Sequence, residues 1–72
     1  MTKIELSNSA LYPGRRNVVI TGDTVDDVLF GMQALYRGWE EVDVRLLPLQ
    51  CADGRWATMG RVWQPRRKDE GV

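Results

Sequence analysis

The sequence predicts an α+β fold in which an antiparallel sheet of about four strands carries one amphipathic helix packed on one face. Three observations predict it: short alternating or β-branched segments near the start, one long segment with apolar residues at helical spacing, and an Asp-Gly turn signal after a further alternating segment. We expect residues 1–64 to form a single α+β domain, because 72 residues are the size of one small core. Residues 65–72 have no periodicity and are expected to be a flexible charged C-terminal tail.

The first two predicted strands lie on either side of a proline-glycine turn. Residues Lys3 to Leu6 alternate polar and apolar side chains, and Asn17 to Thr21 is a short β-branched segment. Pro13 and Gly14, which lie between them, are typical of a turn. The two segments are therefore expected to pair as antiparallel strands.

A helix is predicted after the second strand. Thr24, or Asp23 just before it, can cap the first turn through its side-chain oxygen. The carboxylates of Asp26 and Asp27 suit the positive end of the helix dipole, and Gly38 offers a left-handed cap at the other end. One apolar stripe runs along this segment at intervals of three and four residues: Val25, Val28, Leu29, Met32, Leu35, Tyr36 and Trp39.

The third and fourth predicted strands pair around Asp53-Gly54, the strongest hairpin signal in the chain. A two-residue type I′ turn, in which both residues have positive φ, places Val44 opposite Trp63. Pro48 interrupts the third strand because proline has no N–H for a neighbouring strand, so we expect a bulge or an exposed edge there.

Two tryptophans follow this turn in the fourth predicted strand. Trp56 and Trp63 are seven residues apart, so they point to opposite faces of an unbulged strand, one into the core and one outside it. The expected core joins the helix stripe to residues of the strands: Val18 or Val19, Ile20, Val44, Leu46 and one tryptophan. The other sheet face and the back of the helix are expected to be exposed, and one of them to carry the function.

Composition argues against several classes of protein. The chain has no histidine and one cysteine, Cys51, so we expect no enzyme, no metal site, no cofactor and no internal disulfide. No apolar run approaches the roughly 18 residues that span a bilayer, so we expect no membrane association. The beginning of the chain lacks a secretory h-region, and a cytoplasmic location is expected.

The charges are unevenly distributed although the formal net charge is zero. Between Asp23 and Asp43 there are six acidic residues and one basic residue, whereas between Val44 and Lys68 there are six basic residues and one acidic residue. Such asymmetry is typical of a protein with a charged partner. The acidic half can meet a basic protein surface, although helix capping and solvated loops already explain most of its carboxylates.

Candidate partner-binding residues lie in two groups. The hairpin and tail combine arginines, which suit bidentate contact with carboxylate or phosphate, with an indole. Phe30 and Arg37 lie on the helix back, opposite the apolar stripe, and form a second candidate patch. The first group contains Arg55, Arg61, Trp63, Arg66 and Arg67.

The order of these elements resembles that of small phage-encoded anti-CRISPR proteins that act on type I surveillance complexes. The similarity lies in a short strand "NVVITG", a helix opened by a hydroxyl residue in "DTVDDVLFGMQALYRGW", and a tight hairpin followed by Trp in "ADGRW". It implies a non-enzymatic inhibitor that occupies the surface where the CRISPR effector holds target DNA, or that blocks nuclease recruitment.

Three functions are therefore expected from the sequence. The first is a non-enzymatic phage or mobile-element protein that binds and inhibits a host protein complex, such as a type I CRISPR surveillance complex. The second is a small nucleic-acid-binding accessory protein that uses the arginine-rich hairpin. The third is a homodimeric structural or regulatory subunit, and the sequence leaves monomer and homodimer open.

Overall fold

A computed structural model describes residues 1–66 as one antiparallel sheet with one helix. The elements are β1 (Lys3–Asn8), β2 (Arg15–Gly22), α1 (Val25–Gly38), β3 (Trp39–Val44), β4 (Leu49–Gln50) and β5 (Trp56–Pro65). The strands lie in the order β1-β2-β5-β3, and the short β4 also pairs with β5. The predicted α+β class, with one helix on an antiparallel sheet, is confirmed.

Strands β1 and β2 form the predicted antiparallel pair, with Leu6 opposite Val18. The turn between them uses Gly14 at a φ of 89°, a left-handed conformation that glycine adopts without strain. The Arg15 N–H donates to the Tyr12 carbonyl over 3.1 Å, which closes this turn just before β2 begins.

The helix begins where the sequence predicts and ends differently. The Thr24 hydroxyl accepts from the Asp27 N–H at 3.2 Å while the Asp27 carboxylate accepts from the Thr24 N–H at 3.3 Å, which is a capping box. The expected left-handed cap at Gly38 is wrong, because Gly38 is the last helical residue. Trp39 follows in an extended conformation, with a φ of −133°, and leads directly into β3.

The core lies between the helix and one side of the sheet. Its buried apolar residues are Val18, Ile20, Val28, Met32, Leu35, Val44 and Val62. The buried helix stripe is narrower than expected, because Leu29 and Tyr36 lie at its margin and are exposed. Gly31 takes the central place: a Cβ there would lie 2.6 Å from Ile20 Cγ2, so the helix approaches β2 closely. Leu46 is exposed rather than buried, since β3 ends at Val44.

The hairpin register differs from the predicted one. Gly54 alone has a positive φ, 87°, and its N–H donates to the Cys51 carbonyl over 3.0 Å, so the loop has three residues rather than a two-residue type I′ turn. Residues 45–48 do not belong to a strand, which agrees with the interruption expected at Pro48. Together these changes place Val44 opposite Gly60 instead of Trp63.

The two tryptophans of β5 lie on opposite sides of the sheet, which confirms the prediction. Trp56 is paired with Gly22 and packs against the core, whereas Trp63 is paired with Arg15 on the other side. Because α1 packs on β2, β3 and β5 from one side, that other side has no second layer within residues 1–66. We call it the open face.

Pro65 and Arg66, which the sequence assigns to the tail, are part of the folded domain. Strand β5 includes Pro65, and the Arg66 N–H donates to the Gly38 carbonyl over 2.8 Å, so these two residues belong to the domain. Residues 67–72 lie outside the described part of the chain. No helix within residues 1–66 has both the length and the apolar character needed to cross a membrane.

Candidate functional site

The open face is formed by alternate residues of all five strands. Antiparallel partners point to the same side of a sheet, so the register identifies its members from Trp63 outward. Arg15 lies opposite Trp63, and Arg61 lies between Asn17 on β2 and Asp43 on β3. The complete set is Lys3, Glu5, Ser7, Arg15, Asn17, Val19, Thr21, Glu41, Asp43, Leu49, Ala57, Met59, Arg61 and Trp63.

A stacked group of aromatic and guanidinium side chains lies at one end of this face. The Arg15 guanidinium carbon is 4.6 Å from the Tyr12 ring centroid and 5.2 Å from that of Trp63. Both distances are within the range of cation–π attraction. The turn at Gly14 makes this arrangement possible, because it places Tyr12 over the start of β2 and leaves room for the Trp63 indole beside Gly14. Arg15 is therefore held in place before any partner arrives.

Arg61 is the free cation in the middle of the face. Its side chain is exposed, and within residues 1–66 its guanidinium forms no hydrogen bond or ion pair. It is diagonal to Arg15 across β2 and β5, a relation that separates Cα atoms by about 7–8 Å. Two guanidinium groups can thus converge on one carboxylate or phosphate.

Apolar side chains continue the face beyond the arginines. Val19 lies opposite Met59, and Leu49 lies opposite Ala57 on the next pair. Val19, Met59 and Leu49 are all exposed, so this part of the sheet keeps apolar surface in contact with water. Exposed apolar surface that adjoins arginine and tryptophan is typical of protein-binding sites.

Acidic residues limit the positive charge of the face. Glu41 lies opposite Trp63 and Asp43 lies opposite Arg61, both on the edge strand β3. A depression at this end of the sheet is lined by Arg15, Arg61, Trp63 and Glu41 of the open face, and also by Tyr36 of the helix. Its charge is mixed, and it is not a continuous basic stripe.

The predicted hairpin group is divided by the structure. Arg61 and Trp63 lie together on the open face, but Arg55 lies before β5, with its Nε 3.4 Å from the Asp23 carboxylate. Arg66 is at the opposite end of β5, where its Nε donates to the Trp39 carbonyl over 3.1 Å. Arg67 lies outside the described residues.

The second predicted patch stands apart from the open face. Phe30 and Arg37 are exposed on α1, on the far side of the helix layer. Tyr12, Arg15 and Met59 are members of the main site that the sequence did not predict. Alternation along β5 could have found Met59, which is two residues before Arg61, whereas Arg15 could be found only from the pairing of β2 with β5.

The acidic residues at the start of the helix have structural partners. The Met1 ammonium donates to the Asp27 carboxylate at 3.1 Å and to the Asp23 carboxylate at 3.2 Å. These hydrogen bonds, that to Asp27 first, raise the pKa of the ammonium group. The same contact, helped by the Thr24 and Asp23 amides, lowers the pKa of Asp27. This cluster stabilises the helix start and is separate from the open face.

Comparison with known proteins adds no relative. No protein-family model, curated protein or solved structure matches the chain.

Proposed function

We propose that the protein is a non-enzymatic, stoichiometric inhibitor that binds a host protein complex through the open face of its sheet. One observation carries the proposal: Arg15, Arg61 and Trp63 lie together on a surface that α1 does not cover, beside exposed Met59. Arginine, aromatic residues and methionine are enriched where protein interfaces concentrate their binding energy. Stacking holds Arg15 in place, which lowers the entropy lost on binding.

The charge pattern favours a protein partner over nucleic acid. A phosphate backbone that approached Arg61 would also approach the carboxylates of Asp43 and Glu41 on β3. A protein surface can instead match both signs, with its own carboxylate on the arginines and a basic group on β3. Nucleic-acid binding through the same arginines is the alternative, and salt dependence distinguishes the two.

The resemblance to anti-CRISPR proteins supplies a definite target. On this reading the protein acts in the cytoplasm of a bacterial host and occupies a surface of a type I surveillance complex. The arginine and indole groups of the open face would contact a subunit directly, and no bond is made or broken.

A phage infection assay tests the proposal. A bacterial strain whose type I system targets a phage should regain plaque formation by that phage when it expresses the protein. Arg61→Glu should abolish this effect, because it reverses the central charge of the open face and should weaken binding about 30-fold or more. Arg37→Glu makes the same change at an exposed arginine on the helix back, and as the matched control it should retain the effect.

The alternatives predict other results. If Arg37→Glu abolishes the effect and Arg61→Glu does not, the helix back is the binding surface and the open-face proposal is wrong. Capture of the tagged protein from the same cells should recover surveillance-complex subunits after nuclease treatment. Loss of those subunits on nuclease treatment, with binding that falls steeply between low and physiological salt, would support the nucleic-acid alternative.

A further inference from the structure

The apolar side of β1 has no cover. Ile4 and Leu6 lie opposite Ile20 and Val18, so all four point toward the helix layer. Ile20 and Val18 are 0% and 1% exposed, whereas Ile4 and Leu6 are 37% and 47% exposed. The difference arises because α1 packs on β2, β3 and β5. Such alternation of polar and apolar residues is typical of a strand whose apolar side is covered. In this domain α1 packs on the other strands and leaves the apolar side of β1 exposed.

The uncovered strip is one side of a trench beside the helix. The Thr2 hydroxyl donates to the Asp27 carbonyl over 2.8 Å, so this flank of α1 turns toward the start of β1. The exposed side chains of Ile4 and Leu6 therefore form an apolar strip beside this flank of α1.

The outer edge of β1 is also open. Among residues 1–66, β1 pairs only with β2, so its other row of backbone N–H and C=O groups has no strand beside it. The strand is six residues long and contains neither proline nor a positive φ that would mark a bulge, so its backbone is free to pair. Its charged side chains, Lys3 and Glu5, oppose pairing with most strands, so another strand can add to this edge only where its own charges match them.

We infer that β1 pairs with the β1 strand of a second copy of this chain, forming a two-fold symmetric dimer with one continuous sheet. Charge selects this occupant. In the antiparallel register centred on Ile4, Lys3 lies opposite Glu5 of the second copy, and Glu5 lies opposite Lys3 of the second copy. The interface is self-complementary, as two-fold symmetry requires. It does not depend on the function proposed above.

The same register closes the trench. Ile4 lies opposite Ile4 of the second copy, and both helices lie on the same side of the joined sheet because partners in a register point to one side. The exposed Ile4 and Leu6 side chains of the two copies then form one apolar strip between the helices. Both open faces lie together on the other side, so the dimer offers a double binding surface.

The opposite edge of the sheet cannot join in this way. Strand β3 carries Glu40, Glu41 and Asp43 and no basic residue. A self-pairing centred on Val42 would place Glu41 opposite Asp43 of the second copy, which is repulsive. Charge thus distinguishes the two edges, and only β1 matches itself.

A charge-swap experiment tests the dimer by light scattering after size exclusion. The wild-type protein should have the mass of a dimer at high concentration. Lys3→Glu and Glu5→Lys should each raise the dissociation constant at least about tenfold, because each places like charges opposite one another twice. The double substitution Lys3→Glu with Glu5→Lys should restore the dimer.

Mixing the two single variants gives the sharpest result. Positions 3 and 5 then carry two carboxylates in the Lys3→Glu protein and two ammonium groups in the Glu5→Lys protein. Opposite charges face one another in the mixed pair, so a heterodimer should form although each variant alone associates weakly. Folding is not at risk, since Lys3 and Glu5 form only an exposed pair at 2.9 Å, and circular dichroism checks it.

Two matched controls complete the design. Glu40→Lys on the opposite edge and Arg61→Glu on the open face should both leave the dimer intact. The inference is overturned if the wild-type protein is monomeric at its highest soluble concentration. It is equally overturned if the single variants dimerise as well as wild type, if the mixture does not associate, or if Arg61→Glu dissociates the dimer.

Discussion

Neighbouring residues of one strand are buried on the helix side of the sheet and exposed on its open face. Val18, Val19 and Ile20 are consecutive β-branched residues of β2, and their exposed fractions are 1%, 37% and 0%. The helix covers one side, and alternation along the strand decides which residues it covers. The helix side therefore carries the stability of the domain. The open face is largely free of that role, so its arginine, tryptophan and methionine side chains are available for another molecule.

The largest contrast between the sides is expected from truncating adjacent residues of β2. Ile20→Ala removes a fully buried side chain and should lower the free energy of unfolding by about 2–5 kcal/mol. Val19→Ala is the matched control on the open face and should lower it by less than about 1 kcal/mol. Urea unfolding followed by circular dichroism measures both. Equal losses would mean that the open face is packed as a second core.

Two glycines of α1 offer a second contrast. Gly31→Ala inserts a methyl group against Ile20, so the helix must shift and the free energy of unfolding should fall by about 1–3 kcal/mol. In Gly38→Ala the added methyl group has no atom within 4 Å, so this substitution should raise the free energy of unfolding by up to about 1 kcal/mol. Thermal unfolding of the two variants compares them. A stabilised Gly31→Ala protein would contradict the close packing of α1 on β2.

A smaller effect is expected from a buried hydroxyl on the helix side. The Thr58 hydroxyl donates to the Arg45 carbonyl over 2.7 Å and holds the segment that leaves β3. Thr58→Val removes this hydrogen bond and should destabilise the domain by about 1–2 kcal/mol. Thr21→Val, on the open face of β2, should change stability by less than about 0.5 kcal/mol. Denaturant midpoints of the two variants measure the difference, and a larger loss at Thr21 would reverse the assignment of sides.

The smallest effect is expected at the helix start. The folded pKa of Asp27 is lowered, chiefly by the Met1 ammonium and then by backbone amides. Its contribution to stability is therefore present above the unfolded pKa of an aspartate and is lost as the pH falls through the lower folded value. The melting temperature of the Asp27→Asn protein should therefore fall less than that of wild type when the pH is lowered from neutral to acid. An unchanged pH profile would show that this carboxylate does not contribute.

Local signals allowed the sequence to predict several of these features. The helix cap at Thr24 and the opposite sides of Trp56 and Trp63 depend only on residues close in the chain and on the periods of helix and strand. The hairpin register depends on more. It is shifted by a three-residue loop and by the Arg45 segment, whose N–H donates to the Met59 carbonyl over 3.1 Å, a contact that spacing does not reveal.

The candidate site was only half predictable for the same reason. Arg61 and Trp63 are two residues apart on one strand, so alternation places them together. Arg15 joins them only because β2 pairs with β5, which is distant in the chain. Tyr12 joins through the turn at Gly14, whose course over the sheet is a tertiary feature. Arg55 was misleading, since its nearest partner, Asp23, comes from another part of the chain.

Oxidation of the native methionines tests most directly whether the open face is uncovered. Met59 lies on that face and is 59% exposed, Met32 lies beneath the helix and is 5% exposed, and Met1 is 90% exposed and serves as a reference. With dilute peroxide and mass spectrometry, Met59 should oxidise at a rate close to that of Met1, and Met32 only as fast as the domain unfolds. If Met59 oxidised as slowly as Met32 in the isolated protein, the open face would be covered and could not be the binding surface.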